Sequence, residues 1–175
     1  RNQISNNFIA KDVIDQITIS EQLSPLFKAD INLKNSFQTN IEIRKERTLS
    51  LSFANSQVTE VNRTSYVLGA GYRFKDVEIN VRMGGDNTRK FKSDILLKAD
   101  MSVNINRTIL RKIDQNVNLV SSGSKVFTLN LSGEYSLTEQ IILKAYFEMT
   151  SNTPYVSNSY PNSTTQGGFS VRLTL

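Results

Sequence analysis

The stretch GGFSVRLTL, residues 167–175, alternates between two kinds of side chain at every step. A period of two residues is typical of a β-strand with one apolar and one polar face. The polar face of this strand would carry Ser170, Arg172 and Thr174. Its apolar face would carry Gly167, Phe169, Val171, Leu173 and Leu175.

The same alternation recurs along the chain. Large apolar residues occupy odd positions in 37–53, 95–105, 127–137 and 141–149, and even positions in 66–74. No segment sustains the 3.6-residue period of a helix, so we predict an all-β, antiparallel protein. Alternating strands occur both in half-buried soluble sandwiches and in outer-membrane β-barrels, where the apolar face meets lipid.

Composition narrows the chemistry. The 175 residues are compatible with one domain, and they include no His, Cys or Trp. Without His and Cys, most metal sites and nucleophile–base pairs cannot be built, so we predict no enzyme activity, no metal and no cofactor. The net charge of +5 is spread over the chain, and the aromatic motifs of single-strand RNA-binding modules are missing, so nucleic acid is not an expected partner.

Chain length between strands follows the outer-membrane pattern. Connections 34–36 and 138–140 are short, whereas 54–64, 106–124 and 150–166 are long and polar. Barrels place short turns at the periplasmic rim and long loops outside. Successive connections must alternate between the two rims. This alternation requires 75–92 to be one periplasmic connection, a short hairpin or strand overhang that turns at residues 84–87.

The strand count predicts a piece of a larger barrel. Spanning strands fall near 23–33, 37–53, 65–74, 93–106, 125–137, 141–150 and 167–175. Closed single-chain bacterial barrels have even strand numbers, and this count is odd. The start at Arg1 is also typical of the interior of a longer protein. Strand 37–53 exceeds the roughly 9–11 residues that span a bilayer, so we expect it to project beyond the membrane.

Polar residues on the strands are candidates for a lumen wall. Charge is costly in lipid, so we expect six charged side chains to face the lumen: Asp94, Lys98, Asp100, Glu134, Lys144 and Arg172. Gly69 and Gly71 share this parity. They indicate either a smooth wall for passing cargo, or close packing against a neighbouring loop or the curvature of the barrel.

Two cations have the opposite parity. Lys45 and Arg47 lie on the face assigned to lipid, where a charge costs about 2–4 kcal/mol at the midplane and ~0–1 kcal/mol near the interface. We therefore expect them at the outer interface or beyond it. They indicate either a contact with lipopolysaccharide phosphates, or a bulge or solvated overhang of the strand.

The segment NTPYVSNSYPNS, residues 152–163, combines two Pro and two Tyr with small polar residues. Pro restricts the backbone. The segment is either an ordered external loop, with Pro154, Tyr155, Tyr160 and Pro161 as partner contacts, or a flexible surface loop.

Four stretches carry a more specific resemblance: EQLSPLFKADI (21–31), RTLSLSFANSQVTEVNRTSYVLGAGYRFK (47–75), RTILRKI (107–113) and NTPYVSNSYPNS (152–163). Together with GGFSVRLTL they resemble the C-terminal part of the SprA (Sov) family. This family comprises giant outer-membrane translocons of the Bacteroidetes type IX secretion system, which is linked to gliding motility. The resemblance covers most of residues 13–175.

The resemblance implies a location and a role. The chain would be the last strands of a large bacterial outer-membrane barrel that exports folded cargo proteins. Implied partners are the rest of the same barrel chain, a PorV-like outer-membrane barrel, a periplasmic plug protein and the cargo. Two alternatives stay open: a small self-contained barrel with a structural or adhesive role, and a barrel hydrolase, which the absence of His disfavours.

Overall fold

The computed structural model describes residues 14–82, 88–138, 140–157 and 159–173. These residues form one antiparallel sheet in which neighbours along the chain are neighbours in space. The prediction of an all-β protein with seven antiparallel strands is confirmed. The strands are β1 (Gln16–Asn32), β2 (Phe37–Ser52), β3 (Gln57–Arg82), β4 (Thr88–Lys112), β5 (Val117–Ser136), β6 (Ile141–Pro154) and β7 (Asn162–Leu173).

Tight turns join the strands at both rims. Ser36, Ser56 and Asn116 each end such a turn with a positive φ, between 48° and 66°. Short polar side chains tolerate this left-handed conformation better than bulky ones do. The carbonyl of Ser56 also accepts a hydrogen bond from the Ile113 amide at 3.0 Å, which ties one turn to the next strand.

The strands are longer than predicted, and the predicted external loops are correspondingly short. Residues 57–64, 106–112 and 117–124 are paired strand, so the expected loops at 54–64 and 106–124 shrink to turns at 53–56 and 113–116. The third loop, expected at 150–166, spans 155–161. Polar content suggested loops, but Val, Ile and Thr favour strands and the ladder hydrogen bonds continue across these segments.

The segment 75–92 is a paired extension of β3 and β4. The register shifts between Phe74 and Val77, where Asp76 has a φ of 56°, and pairing then continues to Arg82 and Thr88. The hydroxyl of Tyr135, from β5, donates a hydrogen bond to the Val77 carbonyl at 3.3 Å beside this bulge. Residues 77–82 and 88–93 thus continue the two strands, while the turn predicted at 84–87 lies outside the described residues. The predicted periplasmic location of this segment stays a prediction.

The described sheet is open and has no conventional core. β1 and β7 each pair on one side only, so the sheet does not close on itself. Tyr135 is the only buried hydrophobic residue of the described part. No described segment is a helix long and apolar enough to cross a bilayer. Nearly all side chains of the described residues therefore lie on one of the two faces of the sheet, where they are available for contacts outside this sheet.

Candidate functional site: the two faces of the sheet

One face of the sheet carries a continuous apolar belt across all seven strands. Cross-strand partners share a face, and the register aligns Phe37, Tyr72, Leu97, Gly133, Ala145 and Phe169 in one row. Parallel rows lie beside it. The apolar belt consists of alternate residues within 27–31, 37–43, 66–74, 95–103, 127–135, 141–149 and 167–173.

The apolar belt is exposed, and its central strands are long enough to cross a bilayer core. Phe27 is 51 % exposed, Val171 62 % and Phe169 90 %. From Tyr66 to Phe74 the belt extends about 26 Å along the strand at 3.3 Å per residue. Strands of outer-membrane barrels are tilted and cross the bilayer with roughly 9–11 residues, which agrees with the length of the belt on β3. The strands continue beyond the belt, where this face carries charged residues such as Arg47 and Glu60 among apolar ones such as Leu49.

The six predicted polar-face residues lie together on the opposite face. Their cross-strand partners include one another: Glu134 faces Lys144, and their side chains form an ion pair of 3.1 Å. Asp94 lies 4.0 Å from the guanidinium of Arg73. Lys98, Asp100 and Arg172 share this face by register but have no ion pair among the described residues.

Charges on the polar face balance at the level of the belt. Lys28 and Asp30 pair at 3.2 Å, and Arg44 and Glu42 pair at 2.7 Å. Cations and carboxylates at this level are equal in number, so the face has little net charge. The cations are Lys28, Arg44, Arg73, Lys98, Lys144 and Arg172, and the carboxylates are Asp30, Glu42, Asp94, Asp100, Glu134 and Glu148.

Glycines on the polar face make room for neighbouring side chains. A Cβ on Gly69 would overlap Oδ1 of Asn40 and lie 2.6 Å from Oδ1 of Asp100. The ring of Tyr146 lies over Gly168, with Cε1 and Cζ 3.1 Å from the position of a Cβ. These contacts favour the interpretation of Gly69 as a site of close packing. The neighbours are side chains of the adjacent strands and not of a loop.

A buried carboxylate lies on the apolar-belt side but beyond the belt, and the sequence did not single it out. Glu60 on β3 is 5 % exposed. Its Oε1 accepts hydrogen bonds from Arg47 Nε at 2.9 Å and Asn62 Nδ2 at 3.1 Å, and its Oε2 accepts from Arg111 Nε at 3.0 Å. In the sequence, Glu60 is recognisable only as a charged residue at one of the alternate positions that are apolar elsewhere in the strand, as Lys45 and Arg47 are in theirs.

Hydrogen bonds determine the ionisation of Glu60. Its bonds with Arg111, and then those with Asn62 and Arg47, outweigh the opposing effect of burial and lower the pKa of Glu60 to about 2. The carboxylate is therefore ionised at neutral pH and holds β2, β3 and β4 together. Glu21 of β1 approaches the other side of Arg47 at 3.8 Å.

The structure separates the two predicted interface cations. Arg47 is bound to Glu60, whereas Lys45 is exposed and has no ion pair among the described residues. Both lie beyond the belt, Lys45 one row and Arg47 two rows past Ile43. Arg107 and Lys125 lie at these same two levels on the same face, and the sequence interpretation did not include them.

The predicted partner loop is held at one end. Pro154 closes β6, and the amide of Tyr155 donates to the Gly123 carbonyl at 2.9 Å. The Tyr155 ring centroid lies 5.4 Å from Cζ of Arg107, a cation–π contact. Tyr160 is 87 % exposed and Pro161 is exposed beside it.

Described residues hold no cluster of three or more acidic side chains able to ligate a metal ion. No protein-family model matches the chain, and no curated protein matches it. The features of the described residues that bear on function are therefore the two faces of the sheet and their borders.

Proposed function

We propose that this chain is part of the wall of a protein-conducting β-barrel channel in a bacterial outer membrane. The apolar belt would face lipid and the polar face would line the lumen. The turns at 33–36 and 137–140 would lie at the periplasmic rim, and those at 53–56 and 113–116 outside.

The observation that supports the proposal best is the exposed apolar belt. Monomeric soluble proteins rarely expose apolar patches of more than a few hundred Å². Here the belt crosses seven strands, and nothing in the described chain packs on it. Lipid would cover it, because on β3 to β6 the length of the belt agrees with the roughly 9–11 residues with which a tilted strand crosses a bilayer.

The open edges support membership of a larger barrel. Unpaired backbone groups at β1 and β7 cannot be satisfied by lipid, so further strands have to pair with them. The polar face suits a conduit for proteins, since its equal numbers of cations and carboxylates give little net field to hold a charged cargo. The resemblance to the SprA family adds type IX secretion, a PorV-like barrel, a periplasmic plug and secreted cargo to the proposal.

Two other functions would use the sheet differently. A small self-contained barrel would need β1 and β7 to pair with each other. A barrel hydrolase would need a nucleophile and base on the polar face, where the described charged residues are ion-paired or separate. Neither alternative has a specific observation in its favour.

Single cysteines test the assignment of the faces, because the chain has no native Cys. In the full-length protein in outer-membrane vesicles, a fluorophore at Leu131→Cys should be quenched by brominated lipids. A fluorophore at Ser132→Cys, the adjacent residue, should be quenched by iodide instead. Equal quenching of both by iodide would refute the membrane assignment.

Photo-crosslinking tests conduction. A photoreactive amino acid at Asn130, on the polar face, should capture a secreted protein stalled in export by a bulky C-terminal fusion. The same group at Leu129, on the apolar belt, is the matched control and should not. Capture at Leu129 alone, or at neither position while export proceeds, would contradict a channel wall.

A further inference from the structure

Three cations border the apolar belt on its outer side, and we call them the cationic row. Lys45, Arg107 and Lys125 come from β2, β4 and β5 and all have exposed side chains. Lys45 and Lys125 lie one row beyond the belt, at the level of Ile105, and Arg107 lies one row further. Each row adds about 6.6 Å along the strand.

Carboxylates on this side of the sheet do not neutralise the cationic row. Glu60 is bound to Arg47 and Arg111, and Glu21 approaches Arg47. None of the three row cations has an ion pair among the described residues. The arginines that do pair thus occupy the nearby carboxylates and leave the row with its full positive charge.

The geometry of the row suits a phosphate. Lys125 faces Ile105, so Arg107 is its diagonal neighbour at a Cα separation of about 7–8 Å. Tyr155 lies against the guanidinium of Arg107 with 5.4 Å between Cζ and the ring centroid. A contact of this kind leaves N–H groups of the guanidinium able to bind an anion, and an Arg fork matches phosphate oxygens. Gly123 lies under this contact, where a Cβ would be 3.2 Å from Tyr155 Cδ2.

We propose that the cationic row binds the phosphate groups of an anionic glycolipid of the outer leaflet, of the lipid A type, whose acyl chains lie on the apolar belt. This inference rests on the proposed function, because it needs the belt to face lipid. The position favours a lipid over free phosphate: the cations lie immediately beyond the belt, where headgroups sit above the chains they carry. Arg47, which the sequence analysis grouped with Lys45, is not part of this row, because it is bound to Glu60.

Neutralising two of the cations tests the proposal. The full-length protein is placed in phosphatidylcholine nanodiscs with a trace of lipid A, and bound lipid A is counted by native mass spectrometry. The wild type should retain phosphorylated lipid A in preference to the same lipid with its phosphates removed. In Arg107→Gln/Lys125→Gln this preference should fall by about tenfold or more, given the attraction of surface cations for anionic lipids.

A matched double variant separates the site from total charge. Lys98→Gln/Arg172→Gln also removes one Lys and one Arg, but on the polar face, and its lipid preference should equal that of the wild type. Arg107→Lys/Lys125→Arg should retain most of the preference. An equal loss in the polar-face variant, or equal retention of both forms of lipid A by the wild type, would overturn the proposal. Displacement by equimolar inorganic phosphate would overturn the choice of a lipid as ligand.

Quenching by brominated lipid at Leu131→Cys distinguishes the two possible failures. If quenching is present and phosphate preference is absent, the lipid site alone is wrong. If quenching is absent, the membrane assignment is wrong and the lipid site fails with it.

Discussion

Arg111 and Glu60 join β4 to β3 beyond the apolar belt, with Arg111 Nε 3.0 Å from Glu60 Oε2. The two residues lie 51 positions apart in the chain. Their pairing buries the carboxylate on the belt side of the sheet, beyond the outer end of the belt. Because Arg47 binds the other carboxylate oxygen, one side chain links three strands near the outer turns.

Glu60→Gln should destabilise the outer ends of β2, β3 and β4. The substitution leaves two arginines without their counter-charge, and a hydrogen bond to a charged group contributes about 1.5–3 kcal/mol. Hydrogen exchange of the full-length protein should show faster exchange in 57–62 and 107–112. Glu46→Gln is the control, because Glu46 lies 3.9 Å from an exposed Arg63 and its loss should change exchange little.

The same cluster should depend on pH in a defined window. The pKa of Glu60 is about 2 in the folded protein, well below its ordinary value of 4.5. A lowered pKa means that the stabilisation is fully present above about pH 4.5, decreases as pH falls, and is gone below about pH 2. Protection of 57–62 from hydrogen exchange should follow this course in the wild type and be flat in Glu60→Gln. The charged groups that face Glu60 are Arg47 and Arg111, and Glu21 reaches it only through Arg47. A wild-type profile as flat as that of the variant would contradict the assignment.

Gly123→Ala should disturb the contact between β5 and the segment that follows β6. Gly123 has a φ of 152°, and a Cβ there would lie 2.5 Å from the Asn106 carbonyl oxygen. Strain of this kind costs about 1–3 kcal/mol. Disulfide trapping between Lys125→Cys and Thr153→Cys, which face each other, should slow in the variant. Gly71→Ala is the control, since its Cβ would be 3.7 Å from the nearest atom.

The edges of the sheet should pair with strands outside this sequence. Ser170→Cys should form a disulfide with Lys144→Cys, its partner on β6, in any model. We expect Ser170→Cys also to cross-link to an upstream strand of the full-length protein, because a barrel leaves no free edge. Efficient cross-linking of Ser170→Cys to Asp30→Cys on β1 would establish a small closed barrel and end the translocon proposal.

Alternation in the sequence was enough to predict the strands and their faces. One face holds the odd-numbered residues of three strands, as their alternation predicted: Ile95 to Val103, Phe127 to Tyr135 and Ile141 to Met149. The parity of Asp94, Asp100 and Glu134 likewise put them together on the other. Side-chain direction in a strand is a local property, so it is visible without knowledge of the fold.

Strand ends were not predictable in the same way. The polar stretches 54–64 and 106–124 have a loop-like composition, yet they continue as paired strands to turns at Ser56 and Asn116. Whether such a segment is strand or loop depends on hydrogen bonds to a neighbouring strand. Those bonds are set by the register, which composition does not contain.

The sequence by itself therefore determined an antiparallel sheet with one apolar and one polar face, because a two-residue period needs only local geometry. The tertiary structure decided which charges meet. Glu60 meets Arg47 and Arg111 from neighbouring strands, and Arg107 meets Tyr155 from the segment that follows β6; register brings each set into contact. Register between distant segments is a property of the whole sheet, so only the assembled strands reveal these pairs.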